Sequence, residues 1–263
     1  MSGTKLSQEI LNIEVQRRRL EVLRIRTRHS KRPELVFLHE GLGSISHWRD
    51  FPARVAEATG CSVTVYSRYG CGNSDVLTET RGVRYMHDEG LLVLPDLLAQ
   101  LKIENPVLVG HSDGGSIAII HAGAHDRLRG LILLAPYVFV EDLSVESIAK
   151  AKVTFETTDL PRRLSNHHRD AARTFWGWND IWLHPDFRSW NIEGYLPKIT
   201  CPILVIQGVD DQYGTMAQVE AIERQAGGSV QVLALSKCKH SPQRDQPDAT
   251  LQAIQRFMAA LQD

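Results

Sequence analysis

A serine between two glycines is the feature of the sequence that most suggests chemistry. Residues 110–114 read Gly-His-Ser-Asp-Gly, which matches the pattern G-x-S-x-G, and they stand directly after an apolar run and before a helical pattern. A sharp turn from strand to helix holds such a serine with its oxygen projecting, and Gly110 and Gly114 let neighbouring chain approach without a Cβ clash. The motif therefore predicts that Ser112 is a nucleophile. The alternative is an ordinary turn in which Ser112 or Asp113 caps a helix.

A serine hydroxyl is a poor nucleophile at neutral pH, so this prediction requires a base that takes its proton and later returns it. The chain contains 11 histidines, and their number alone selects none of them. His121 and His125 lie four residues apart in a helical segment, where they could pair as metal ligands. No third ligand accompanies them, so a solvated or capping role is expected. We expect no metal and no cofactor.

Short apolar runs predict the strands that must position these residues. They cover residues 35–38, 63–66, 107–109, 131–134 and 203–206, with 230–235 as the last strand. Runs of this kind, ending at Gly, Ser, Ala or Pro, are typical of strands buried on both faces of a parallel sheet. At the start of the chain, residues 10–16 and 20–26 nearly alternate between apolar and polar around a charged turn, which predicts a hairpin at a sheet edge.

Helical patterns separate these runs, as parallel strands require. They cover residues 113–124, 216–226 and 251–261, and a further helix over 86–101 must kink or split at Pro95. The predicted fold class is therefore α/β, with a mostly parallel central sheet and helices on both faces.

One interval breaks the alternation of strands and helices. More than 60 residues separate the strand that ends near Ala135 from the strand that starts at Ile203, which is too long for a loop. The interval contains helical stretches at 145–157 and 170–183 and four tryptophans. We interpret residues 137–200 as an inserted helical cap, and residues 1–136 and 201–263 as the core of a single compact unit.

Over residues 20–261 the sequence resembles the α/β-hydrolase superfamily, in its serine hydrolase branch. In that family the nucleophile, the acid and the base follow in this order along the chain, with the acid after a late strand and the histidine after the last one. The resemblance therefore implies a triad of Ser112, Asp211 and His240, in which Asp211 ends a G-x-x-D sequence. Asp210 is the alternative acid.

The same resemblance implies where the negative charge of an acyl-transfer intermediate is stabilised. Backbone donors usually supply this stabilisation, and the N–H of Asp113, directly after the nucleophile, is one of them. Residues 39–43 read His-Glu-Gly-Leu-Gly and resemble the family's H-G-x-x-G loop, which implies Gly41 as the second donor. Glu40 replaces a glycine of that pattern. Since a carboxylate beside a developing oxyanion is unfavourable, we expect Glu40 to point away or to be paired.

A serine nucleophile limits the set of reactions that are expected in this superfamily. Dehalogenases and epoxide hydrolases of this superfamily use aspartate as the nucleophile. The aminopeptidase branch usually reads G-G-S-W-G at the nucleophile elbow, the sharp turn that carries the nucleophile. The resemblance thus implies an esterase-like enzyme of class EC 3.1.1 that cleaves a small carboxylic ester, lactone or thioester through an acyl-enzyme on Ser112. A C–C bond hydrolase with the same triad and a non-catalytic ligand-binding module are the alternatives.

Several large side chains are candidates for a substrate pocket. Aromatic residues of the inserted segment can line an apolar acyl pocket or can simply pack the segment onto the sheet, and the sequence leaves both readings open. The candidates are Glu40, Trp48, Trp176, Trp178 and Trp182.

Charge and composition exclude two classes of partner. The chain has 30 Lys and Arg against 31 Asp and Glu, so it lacks the basic surface that binding to nucleic acid or to an anionic membrane requires. The 4 cysteines lie far apart, which favours a reducing compartment. The first ten residues show no secretory pattern, and no segment approaches the roughly 18 apolar residues of a membrane span. We therefore expect a cytoplasmic protein that acts on a small molecule; the oligomeric state is not predicted.

Overall fold

The computed structural model describes residues 6–27 and 32–261, so residues 1–5 of the amino-terminal segment considered above lie outside the described part. In the described residues, eight strands form one sheet in the order β1-β2-β4-β3-β5-β6-β7-β8. β1 and β2 form an antiparallel hairpin, and β2 also pairs antiparallel with β4. All the other neighbouring strands are parallel. The strands are β1 Ser7–Val15, β2 Arg18–Arg26, β3 Leu35–Leu38, β4 Val63–Tyr66, β5 Val107–His111, β6 Gly130–Leu134, β7 Ile203–Gly208 and β8 Val230–Leu235.

Helices connect the parallel strands, and the mostly parallel α/β architecture predicted from the sequence is confirmed. The helices are α1 Phe51–Thr59, α2 Tyr85–Asp88, α3 Leu94–Leu101, α4 Asp113–Ala124, α5 Asp142–Thr157, α6 Leu160–Ser165, α7 Ala171–Trp182, α8 Met216–Gln225, α9 Pro242–Asp245 and α10 Pro247–Ala260.

The sheet is covered on both faces because successive residues of a strand point to opposite sides. In β3, Leu35 and Phe37 pack in one apolar cluster with α1 and α10, whereas Val36 and Leu38 pack in the other with α2, α3, α4 and α8. All four side chains are fully buried. This explains why the internal strands are continuous apolar runs instead of alternating ones.

The helix predicted over 86–101 runs on without a gap, and a π-helical turn precedes its proline where a kink or a split was expected. α2 is followed by a π-helical turn, Glu89–Val93, and α3 begins at Leu94 with Pro95 in its first turn. Proline donates no backbone hydrogen bond and its ring crowds the carbonyl four residues earlier. Inside the π-helical turn the hydrogen bonds shift by one residue, which accommodates that crowding.

The segment between β6 and β7 contains α5, α6 and α7, of which the short α6 was not predicted. These helices share a small apolar cluster separate from the two main ones, in which the rings of Phe155 and Phe175 stack at 3.9 Å. The last part of the segment packs against the main core. The 3₁₀ turn Glu193–Lys198 packs on α4, and Leu196 within it belongs to a main cluster.

The topology determines which loops meet. β3 lies between β4 and β5, so the chain leaves β3 to one side and later returns on the other, and in parallel sheets ligands bind at the carboxyl ends of strands at such a point. The loops after β3, β5, β6, β7 and β8 all emerge at this edge. No helix of the described residues is long and apolar enough to span a membrane.

Candidate active site

Ser112 lies in the tight turn between β5 and α4 with φ 55° and ψ −120°, a left-handed conformation that costs a non-glycine residue energy. The turn is possible because two glycines leave no side chain in the way. A Cβ at Gly114 would lie 2.1 Å from the carbonyl oxygen of Leu38, and a Cβ at Gly110 would lie 2.4 Å from the oxygen of Gly114. Gly114 therefore lets the turn lie against the end of β3, and Gly110 lets the turn itself close.

Ser112, His240 and Asp211 come together above this turn. The Oγ of Ser112 lies 2.9 Å from His240 Nε2, and His240 Nδ1 lies 2.7 Å from Asp211 Oδ2. Asp211 follows β7 and His240 follows β8, so neighbouring strands deliver them. The Asp211 carboxylate also accepts hydrogen bonds from the Gln207 side chain and from the N–H of Tyr213, both at 2.8 Å.

The two adjacent aspartates have different environments. The side chain of Asp211 is 1% exposed, whereas Asp210 is exposed and only its backbone N–H is anchored, on Cys238. Burial raises the pKa of Asp211, but the hydrogen bond and positive charge of His240 outweigh this, and the net pKa lies below its ordinary value. The structure therefore brings an ionised Asp211, and not Asp210, to the imidazole.

Two backbone N–H groups belong to residues that line one cavity together with Ser112. Those of Gly41 and Asp113 find no acceptor among the described residues. A Cβ at Gly41 would lie 2.2 Å from Nε1 of Trp178, so only glycine fits here. The buried Arg68 holds this loop, since its guanidinium donates to the carbonyl oxygens of His39 and Glu40, the latter at 2.9 Å.

Glu40 is paired, which is one of the two outcomes expected for a carboxylate near a developing oxyanion. Its Oε2 lies 3.3 Å from Nδ1 of His111, whose side chain is 1% exposed. Burial raises the pKa of Glu40, yet the hydrogen bond and charge of His111, together with the charge of His47, more than offset this and hold the pKa well below its usual range. Glu40 is thus an anion with a partner.

A second carboxylate, that of Asp113, is held from the other side. Tyr85 donates to its Oδ2 at 2.6 Å, and Nε1 of Trp182 donates to the Tyr85 oxygen at 3.1 Å. Its Oδ1 has no partner among the described residues. Burial raises the pKa of Asp113 more than Arg68 and the Tyr85 hydrogen bond lower it, so the net pKa lies above its ordinary value. This chain of hydrogen bonds ties α7 to the turn that carries Ser112.

A cavity of about 110 Å³ opens above Ser112. Trp178 and Trp182, two of the predicted pocket residues, lie in its wall together with Glu40, and most of its surface is apolar. Its lining consists of Glu40, Gly41, Leu42, Ser112, Asp113, Tyr137, Ile148, Trp178, Trp182, Tyr213 and His240.

Two predicted pocket residues do not line this cavity, and their assignment is corrected. Trp48 is buried in the core, edge-on to Phe37 with ring centroids 5.1 Å apart. Trp176 packs edge-on against Phe155 and Phe175 in the separate cluster of this segment, with ring centroids 5.5 and 5.2 Å apart, and the Lys152 ammonium lies 5.7 Å from its ring. Side chains two positions apart on a helix point in directions that differ by about 200°. Trp176 and Trp178 therefore cannot both face the cavity.

Sequence reasoning missed two tyrosines of the site. The hydroxyl of Tyr137 lies 3.4 Å from His240 Nε2, and the Tyr213 ring lies 4.9 Å from the imidazole. Both follow strand ends on the same edge of the sheet, Tyr137 just after β6 and Tyr213 two residues after Asp211. Their position after a strand was the signal that could have identified them.

No group of three His, Cys, Asp or Glu side chains in the described part of the chain is arranged to hold a metal ion. The rings of His121 and His125 do lie side by side, with centroids 4.5 Å apart and planes tilted by 34°, but Nδ1 of the buried His121 is bonded to the carbonyl oxygen of Gly90 at 2.9 Å. Nδ1 of His121, which was considered as a metal ligand, thus has a structural hydrogen bond.

The comparisons with known proteins agree with this geometry. Residues 35–253 match the family model described as "Alpha/beta hydrolase family". The chain belongs to the α/β-hydrolase family.

Two relatives that match most of this chain are both named proline iminopeptidase. A proline iminopeptidase of Saccharolobus solfataricus is 28% identical, over 85% of this chain and 84% of its own length. A proline iminopeptidase of Levilactobacillus brevis is 24% identical, over 67% of this chain and 72% of its own length. The aminopeptidase branch, disfavoured by the elbow sequence, is thus the branch whose name these relatives bear.

Solved structures share the fold. A proline iminopeptidase of Mycobacterium smegmatis superposes with a TM-score of 0.76 at 17% identity, covering 96% of this chain and 98% of that one. The enol-lactonase of Burkholderia xenovorans LB400 superposes with a TM-score of 0.74 at 18% identity, covering 95% and 100%. At these identities the likeness concerns the fold alone.

His168 fixes one wall of the cavity while it is uncharged. Its Nδ1 accepts from the N–H of Gly72 and its Nε2 donates to the carbonyl oxygen of Leu42, both at 3.0 Å. Burial lowers the pKa of His168 from 6.5 to about 4. Because the folded state resists protonation, this stabilisation is complete above pH 6.5 and is lost as the pH falls from 6.5 toward 4.

We expect His168→Gln to reduce the acid sensitivity of folding. Between pH 7.5 and 5, the wild type should lose about 2 kcal/mol more of its unfolding free energy than the variant, since one pKa unit corresponds to about 1.4 kcal/mol. Urea unfolding at both pH values measures this. Thr174→Val is the matched control, because it removes a non-titrating 2.6 Å hydrogen bond to the neighbouring Gly70. It should keep the wild-type pH slope; equal slopes in all three proteins would contradict the assignment.

Proposed function

We propose that this protein is a serine hydrolase that cleaves a small ester-type substrate, a carboxylic ester, lactone or thioester, through an acyl-enzyme on Ser112. The observation that carries the proposal is the 2.9 Å contact between Ser112 Oγ and His240 Nε2, with the ionised Asp211 2.7 Å from the other ring nitrogen. A nucleophile, its base and the group that orients the base are thus within hydrogen-bond reach of one another.

The proposed first half-reaction uses these contacts. Ser112 Oγ attacks the carbonyl carbon while His240 Nε2 takes its proton, and the imidazolium so formed is stabilised by Asp211, which stays ionised. The same proton then passes to the leaving alcohol or thiol as its bond to the acyl carbon breaks. In the second half-reaction water attacks the acyl-enzyme, again with His240 as base, and the carboxylic acid and free Ser112 are restored.

The tetrahedral intermediates place a negative charge on the former carbonyl oxygen. The free N–H groups of Gly41 and Asp113 are the proposed donors to it, and preorganised donors of this kind usually supply the largest single share of catalysis. The carboxylate of Glu40 would oppose this charge if it were free. Its pairing with His111 supports the proposal because it reduces that opposition.

The cavity limits the acyl group. Pockets for drug-sized ligands span about 300 to 1,000 Å³, whereas this one measures about 110 Å³. Ile148, Trp178 and Trp182 give it apolar walls contributed by the inserted segment. A short, compact acyl group fits these dimensions, with the leaving group outside.

A second candidate function is hydrolysis of an amide at an amino-terminal proline. The names of the relatives favour it, as does the buried Oδ1 of Asp113 in the cavity wall, an acceptor without a partner that suits the ammonium of such a substrate. The elbow sequence, with His111 and Asp113 around the serine, differs from the aminopeptidase pattern and favours the ester substrate.

A nucleophile knockout with a substrate panel tests the proposal. Ser112→Ala should lower kcat for 4-nitrophenyl acetate by roughly 10³-fold or more with an unchanged melting temperature, because oxyanion contacts and binding remain. A fluorophosphonate probe should give one adduct, on the peptide that contains Ser112, by mass spectrometry.

The panel compares 4-nitrophenyl acetate, a small lactone and an acetyl thioester with L-prolyl 4-nitroanilide. Higher kcat/KM for the anilide than for every ester would select the second candidate. A folded protein that hydrolyses none of these substrates and forms no adduct on Ser112 would contradict both functions and would leave the ligand-binding alternative.

Asp211 and Asp210 provide a matched pair of variants. Asp211→Asn should lower kcat by about 10⁴-fold because the imidazole loses the carboxylate that fixes its tautomer. Asp210→Asn, at the exposed neighbouring position, should stay within a factor of about three, as expected for a surface change away from the site. Steady-state kinetics on 4-nitrophenyl acetate measures both, and the reverse ranking would transfer the role to Asp210.

Trp178 should set the length of the acyl group. Trp178→Leu enlarges the cavity, so the ratio of kcat/KM for a hexanoyl over an acetyl 4-nitrophenyl ester should rise by about tenfold or more, in line with about 1 to 3 kcal/mol for added methylenes in an apolar pocket. Trp176→Leu, at a position of the same helix that does not line the cavity, is the control and should keep the wild-type ratio. Equal ratios in all three proteins would mean that Trp178 does not contact the acyl group.

A further inference from the structure

We propose that Glu40 is a positioning residue that acts through His111. It joins the loop that carries Gly41 to the loop that carries His240, and so keeps the proposed oxyanion donor and the proposed base at a fixed separation. This inference rests on the proposed function of Ser112 and His240. It gives a role to the residue that departs from the H-G-x-x-G pattern.

The first contact joins His111 to the loop of the base. Nε2 of His111 lies 2.7 Å from the backbone carbonyl oxygen of His240, and the two rings are 5.3 Å apart. A carbonyl oxygen only accepts, so Nε2 carries a proton and donates it. Because His111 precedes Ser112 in the chain, this bond ties the backbone of the base directly to the strand end that bears the nucleophile.

The second contact joins His111 to Glu40. Nδ1 lies 3.3 Å from Glu40 Oε2 and 3.1 Å from the side-chain amide nitrogen of Gln243, which lies on α9. A proton on Nδ1 lets His111 donate to the carboxylate of Glu40 as well as to the carbonyl of His240. The Gln243 amide then presents its Oε1, which has no other partner among the described residues, in place of its nitrogen. Such charge-assisted hydrogen bonds are about twice as strong as neutral ones.

Glu40 itself is fixed at both ends. Its carbonyl oxygen accepts from His39 Nδ1 at 2.7 Å and from Arg68 at 2.9 Å, so the backbone of the loop cannot shift freely. Its carboxylate lies against the backbone of its own loop, where a Cβ at Gly43 would be 2.6 Å from Oε2. Glycine at position 43 leaves the space that the carboxylate occupies.

The charged groups around Glu40 make His111 its direct partner. His39 on the same loop, His47 on the 3₁₀ turn Ile45–Trp48 and His111 on β5 act on the carboxylate, and only His111 is within salt-bridge distance in the described residues. A glutamate that merely filled space would need no such contact. Displacement of a reacting group by about 1 Å can cost about 100-fold in rate, so the link matters for kcat.

A double-mutant cycle tests the inference. Glu40→Gln and His111→Gln should each lower kcat for 4-nitrophenyl acetate by about tenfold or more, with KM within about threefold, because positioning affects the transition state more than ground-state binding. The double variant should be no slower than the slower single variant, since the two residues act as one unit. Rates are expressed per Ser112 that reacts with fluorophosphonate, so that loss of folded protein does not count as loss of activity.

Two further variants separate the contact from simpler effects. Glu40→Asp keeps the charge but withdraws it by one methylene, and it should match Glu40→Gln. Glu34→Gln is the control, because Glu34 is a carboxylate of similar exposure that pairs with Arg24 and Arg26 away from the site; it should keep the wild-type kcat.

The outcomes distinguish this inference from the proposed function. Multiplicative losses in the double variant, or wild-type kcat in Glu40→Gln, would overturn the role of Glu40 while labelling of Ser112 still supported the hydrolase. An unlabelled Ser112 in the wild type would overturn both.

Discussion

The close approach of two backbone segments is the constraint on which the site depends. The turn at Ser112 and the end of β3 lie so near each other that a Cβ at Gly114 would be 2.1 Å from the Leu38 oxygen. No side chain fits in that gap, so the glycine at position 114 allows the start of α4 to lie directly against the end of β3. As a result Ser112, Gly41 and Asp113 line one small cavity. Any larger residue at position 114 would separate the proposed nucleophile from the proposed donors.

Buried charge organises the rest of the site, and each buried ion has identifiable partners. Arg68, almost fully buried, donates to the carbonyl oxygens of the loop after β3. Asp211 is ionised beneath His240, and Glu40 is ionised beside His111. A buried ion without partners would destabilise the folded protein by several kcal/mol. These contacts therefore hold three loops in one arrangement, which is the preorganisation that electrostatic catalysis requires.

The segment between β6 and β7 forms part of the cavity wall. Only one side of α7 faces the cavity, so Trp178 and Trp182 line it while Trp176 packs against Phe155 and Phe175. The hydrogen bond from Trp182 to Tyr85, and from Tyr85 to Asp113, connects this helix to the turn of the proposed nucleophile. The helix that lines the cavity is thus anchored on the turn that carries Ser112, which couples the shape of the cavity to the position of Ser112.

The sequence by itself determined the sheet, most of the helices and the candidates for chemistry, because these follow from local patterns. Apolar runs predicted the buried strands, the glycines around Ser112 predicted the turn, and the family's chain order pointed to Asp211 and His240. Tertiary structure decided what depends on direction and distance between remote segments. Asp211 rather than Asp210 faces the imidazole because the turn after β7 buries only one of them. Trp48 and Trp176 were assigned to the pocket from residue type alone, which does not report the side of the helix or sheet that a ring occupies. The pairing of Glu40 with His111, 71 residues apart, was beyond any local pattern, since it exists only where the ends of β3 and β5 meet.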